Sequence, residues 1–155
     1  MSALWTRSNS FPLADSHILV AASSPWREAV LSVFQGLGIT PHLVETLPEA
    51  VHFLEFRQPE FLIISEQFSS RDDAPDPLLT HMQGLLTSQR REIFVVLVSR
   101  VAKTGDMLSA FSQSVNLIIH PEDIPNLTAL ITESWNFWRE LYHVFTQTRI
   151  QLAEN

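Results

Sequence analysis

Short, continuous apolar runs alternate along this chain with stretches of helical period. His17-Ile-Leu-Val-Ala-Ala22, Phe61-Leu-Ile-Ile-Ser65, Ile93-Phe-Val-Val-Leu-Val98 and Asn116-Leu-Ile-Ile-His120 are strand-sized and apolar at successive positions. Such runs suit strands of a parallel sheet covered on both faces. A further short strand is expected in Ile39–Glu45, at a sheet edge because Pro41 cannot donate to a ladder.

Between the strands the period changes to that of a helix. Ser24 as N-cap and Pro25 at the first helical position open a helix through Trp26, Ala29, Val30, Val33, Phe34 and Leu37. Gly36 and Gly38 stop it. Leu47-Pro48-Glu49 opens the second helix, with Ala50, Val51, Phe53 and Leu54 inward, and Gln58-Pro59 ends it. A polar loop over Gln67–Pro77 precedes a helix using Leu78, Leu79, Met82, Leu85 and Leu86. The fourth spans Thr104–Ser114, with Met107, Leu108 and Phe111 inward. Five such units predict a doubly wound α/β sandwich, in which ligands gather at the carboxyl ends of the strands. That geometry brings Ala22, Ser23, Ser65, Ser99 and His120 to one place.

Composition narrows the chemistry. A chain of 155 residues, 45% hydrophobic and 17% charged, can bury one sizeable core and is globular rather than disordered. Its net charge of -7, with only Arg90-Arg91 as a basic cluster, argues against a nucleic-acid surface. Without cysteine, thiolate chemistry and Cys-ligated metal are excluded. The six histidines show no metal-binding spacing, and His42, His52 and His81 read as surface or half-buried residues. No secretory signal or membrane-length apolar run is visible, so a cytoplasmic location is expected. Residues 1–16 read as a flexible leader, 17–138 as the domain, and 139–155 as an extension of its last helix.

The order and spacing of these pieces resemble the receiver domain of bacterial two-component response regulators over about residues 17–138. The resemblance rests on Ile-Leu-Val followed two residues later by a Ser-Pro-x-Arg helix start, on Pro59-Glu-Phe-Leu-Ile-Ile-Ser65, on Val-Leu-Val-Ser99 and on Ile-Ile-His120-Pro121. It implies a flavodoxin-like (βα)5 three-layer sandwich with parallel sheet order 2-1-3-4-5 and an extended C-terminal helix. The family carries two acidic residues after its first strand for Mg²⁺, a phosphoacceptor aspartate after the third, Ser or Thr after the fourth and Lys after the fifth. Here the acidic pair falls on Ala22 and Ser23, the aspartate on Ser65, the hydroxyl on Ser99 and the lysine on His120. Mg²⁺ needs carboxylate oxygens, which Ala22 and Ser23 do not offer.

These departures describe a pseudo-receiver: a non-catalytic, phosphorylation-independent interaction module with no cofactor or metal. The alternative is an atypical receiver that senses phosphorylation or a small ligand through the same pocket. Ser65 and His120 lack the G-x-S-x-G elbow and orienting acid of a hydrolase and read as structural residues. Glu66 reads as a solvated loop carboxylate. His120 reads as hydrogen-bonded to a loop, the competing idea being a pH-sensitive pocket.

Beyond Pro125 neither Gly nor Pro interrupts the chain, which permits about thirty helical residues, or roughly 45 Å. Leu127, Leu130, Ile131 and Ser134 fit a face against the domain. Trp135, Trp138, Leu141, Tyr142 and Phe145 are too many large apolar groups for one narrow stripe and are expected to form an interface. A homodimer through this helix competes with a connection to an output domain, and self-association is favoured. A protein partner is expected, and neither nucleic acid nor membrane.

Overall fold

The computed structural model describes Leu13, residues 16–69 and residues 76–154, apart from the side chains of Phe145, Thr146, Arg149, Ile150 and Glu154. Five parallel strands, β1 (Ile18–Ala21), β2 (His42–Leu43), β3 (Phe61–Ser65), β4 (Phe94–Val98) and β5 (Leu117–Ile119), form one sheet in the order 2-1-3-4-5. Register is continuous across it: Ala21 lies beside Ile64, Ser65 beside Val98, and Val98 beside Ile119. β2 is a short edge strand, as Pro41 implied.

Side chains of a strand alternate between faces, and each face has its own core. Ile18, Val20 and Ala22 join Phe61, Ile63, Phe94 and Val96 under α1 (Trp26–Gly36) and α6 (Leu127–Glu154). Leu19, Ala21, Leu62, Ile64 and Val95 meet α2 (Leu47–Phe56), α3 (Pro77–Gln83) and α5 (Met107–Gln113) on the other. The four-residue α4 (Thr87–Arg90) and a 3₁₀ turn (Pro121–Asn126) complete the order. This is the flavodoxin-like receiver architecture.

Local chemistry accounts for the helix ends. Thr46 accepts the Glu49 N–H and donates to Glu49 Oε1, a capping box that opens α2. Asp76 and Asp106 cap α3 and α5 through their side chains. Gly38, at φ +70°, turns the chain out of α1 in the left-handed conformation its position required.

The structure corrects several expectations. Pro25 is itself the N-cap of α1, and the Ser24 hydroxyl donates to Glu28 instead of capping the backbone. α5 starts at Met107, after Gly105 and Asp106, and its buried residue is Ala110; Met107 packs at the margin of the α1/α6 core, Leu108 is exposed, and Phe111 is half-exposed beside Trp138. Leu86 is exposed because α3 stops at Gln83 and the helical phase is lost at Gly84. Leu13, assigned to the leader, is fully buried in the α1/α6 core, so packing starts ahead of residue 17. Residues 1–12, 14 and 15 of the leader and 70–75 of the polar loop lie outside the described residues.

The expected interface on α6 needs the largest revision. Trp135 is 0% exposed and Trp138 8%, both inside the domain core, with Leu141 and Tyr142 packed against its margin. Trp138 donates its indole N–H to the Asn116 carbonyl at 2.9 Å, and its ring meets Phe111 edge-on. The domain therefore holds α6 as far as Tyr142, because β5 and α5 supply partners that the helix's own periodicity does not reveal. The Phe145 side chain lies outside the described residues.

Candidate functional site

The carboxyl ends of β1, β3 and β4 form a hydroxyl-lined edge. Ser65 is the last residue of β3 and fully buried; its Oγ accepts the Ser23 N–H at 2.9 Å and lies 3.4 Å from Ser23 Oγ. Ala22 turns into the α1/α6 core, as the alternation of β1 dictates. Ser99, 2% exposed, follows β4; its hydroxyl donates to Glu66 Oε1 and accepts the Val101 N–H at 3.2 Å.

Glu66 departs from its expected role. Its N–H continues the β3–β4 ladder to the Val98 carbonyl, which carries the carboxylate toward the end of β4 instead of into solvent. There it is half-buried and accepts from both Ser99 and the Arg100 N–H. The Arg100 guanidinium lies over the Trp26 ring at 4.7 Å, fastening this loop to the start of α1. The sequence signal was the Glu one residue past a strand end, whose face depends on where the ladder stops.

His120 is drawn to its own turn. Its N–H donates to Thr104 Oγ1 at 2.8 Å, Thr104 donates to Asp123, and the imidazole Nδ1 accepts the Glu122 N–H at 3.2 Å. The imidazole bond is thus local, to the turn that follows β5. The edge thus assembles two pairs, Ser23 with Ser65 and Ser99 with Glu66, while His120 caps the 3₁₀ turn. Among the described residues no cluster of three or more His, Asp or Glu side chains could hold a metal ion.

The Ser99–Glu66 contact gives a measurable expectation. Ser99→Ala removes a charge-assisted hydrogen bond at a partly buried site and should cost about 1–2 kcal/mol, read from urea denaturation. Ser99→Thr, which keeps the hydroxyl, should cost less.

No protein-family profile matches the sequence, and no curated protein matches it closely enough in sequence. Similarity lies in the fold. An orphan response regulator of H. pylori superposes with a TM-score of 0.57 at 16% identity, covering 78% of this chain and 97% of that one. NtrX from Brucella abortus gives 0.57 at 19% identity, covering 83% of this chain and 29% of its own. The receiver domain of a Francisella response regulator gives 0.53 at 13% identity, covering 77% and 98%. The fold of this chain is that of response-regulator receiver domains. Among the described residues no helix is long and apolar enough to cross a membrane.

Proposed function

From the receiver fold as premise, we propose that this chain is a pseudo-receiver: a non-catalytic, cytoplasmic interaction module that works without phosphorylation. The observation that carries the reading is the state of the strand ends. A buried serine, Ser65, stands where the family's phosphoacceptor falls, and its oxygen is committed to Ser23. Ala22 and Ser23 bring no carboxylate for Mg²⁺, and Glu66, the acid at the edge, is bound to Ser99 and Arg100. Binding to a protein partner, or to a second copy, then takes place on outer surfaces.

Incubation with acetyl phosphate and Mg²⁺, or with beryllofluoride, tests this. The expected result is no covalent mass increase and no Mg²⁺-dependent change in the amide spectrum. A phosphorylated species would overturn the reading and establish the sensing alternative.

Self-association is assigned to the part of α6 beyond the core. Val144 and Leu152 are exposed large apolar groups beyond Tyr142 on this helix, which is about 42 Å long over its 28 residues. Sedimentation should show a concentration-dependent dimer for the full chain and a monomer for a truncation after Tyr142. A monomer in both would remove the dimer.

A further inference from the structure

At the opposite edge of the sheet, the amino ends of β3 and β4 open into a groove of about 460 Å³ between the end of α2 and α3/α4. Leu54, Pro59 and Ile93, all buried, form an apolar floor. Its rim carries the exposed Glu55 and Glu92, its lining also holds Glu60 and His81, and among the described residues it contains neither lysine nor arginine. Of the arginines nearest in sequence, Arg57 lies over Phe53, and Arg90 is bonded to the carbonyls of Ser114 and Ile93 and to Asn116. The groove is therefore negative as well as apolar.

A bare metal ion is a poor occupant, since these carboxylates do not converge as a ligand set. The acids come from three separate places, the end of α2 and the approaches to β3 and β4, with apolar surface between them. An occupant that matches must carry more than one cation with apolar groups interspersed. We propose that this groove docks a basic, apolar segment of a partner protein, with Lys or Arg side chains on the glutamate rim and an aliphatic or aromatic side chain on the floor. Complementary charge sets the choice and orientation of such a partner more than raw affinity. The inference rests on the chain being an interaction module, but it concerns the sheet edge remote from Ser65, so the phosphorylation test and this one fail independently.

The probe is the peptide acetyl-Leu-Lys-Leu-Arg-Leu-amide, titrated into the full chain and followed by amide chemical shifts. Shifts confined to residues 54–60 and 81–93, and affinity that falls with added salt, are expected. Glu55→Gln with Glu92→Gln replaces two exposed rim charges without touching the core and should weaken binding roughly tenfold, with an otherwise unchanged spectrum. Equal binding of the peptide with glutamine at both basic positions would overturn the proposal. So would unchanged affinity in the double variant, shifts centred on Ser65 or α6, or benzylamine binding the groove as tightly as the peptide.

Discussion

Replacing Trp135 with alanine is expected to destabilise the protein by about 3–5 kcal/mol, read as a lower urea midpoint by circular dichroism. The residue is the largest fully buried side chain of the α1/α6 core, packed in the same cluster as Ile131, Leu127, Phe34 and Leu13. Removing it opens a cavity beneath the middle of α6, where a sheet held on both faces has little freedom to collapse. Its indole Nε1 is buried and finds no hydrogen-bond partner among the described residues. The side chain works through its apolar area and its ring face, over which the Arg139 guanidinium lies at 5.0 Å; Trp135→Phe keeps an aromatic face and should cost only about 1 kcal/mol, because losing an unsatisfied polar group offsets part of the lost volume. If Trp135 were an interface residue, alanine would instead change association and leave monomer stability nearly unaltered.

Asn116→Ala is the second large effect, expected at about 2–4 kcal/mol. Asn116 is 4% exposed and stands just before β5. Its side-chain oxygen accepts the Val95 N–H at 2.9 Å, its own N–H donates to the Val95 carbonyl, and its carbonyl accepts from Trp138 and Ser134. One residue thus joins β4, β5 and α6. The same side-chain oxygen accepts from Arg90, whose burial pushes its pKa down to about 10, still charged at neutral pH. Burial also raises the pKa of the neighbouring Tyr142. Alanine would leave a buried N–H without its acceptor and deprive Arg90 of one bond. Asn116→Asp keeps both acceptor contacts and should fall within about 1 kcal/mol of the parent. A loss from Asp equal to that from Ala would show that the amide's N–H₂, rather than its oxygen, matters.

How much of this could be seen beforehand depended on the range of the interactions involved. β3 and β4 were legible because each is an apolar run bounded by polar or Pro residues. The start of α2 was legible at Leu47-Pro48-Glu49, whereas the Thr46–Glu49 capping box that fixes it is seen only in the structure. Ser23, Ser65 and Ser99 stand at or just past strand ends, and those ends follow from the same runs. Glu66 was misjudged because its direction depends on one more ladder bond to Val98, from a strand over thirty residues away. Leu108 and Phe111 were misjudged because a seven-residue helix offers more than one plausible stripe, and only its packing on the sheet selects between them; Phe111 meets Trp138 instead.

The residue types at the strand ends were determined by the sequence alone: a buried serine, a second hydroxyl and no acidic pair, on a scaffold of alternating strands and helices. Short-range pattern suffices there, because burial on both faces writes itself into consecutive residues. The fate of the aromatic last helix was decided only in three dimensions. Its periodicity shows that Trp135 and Trp138 must be covered, but not whether the cover is Asn116, Phe111 and Leu13 of the same chain or another molecule. That choice rests on long-range packing, and here the domain itself covers the helix as far as Tyr142.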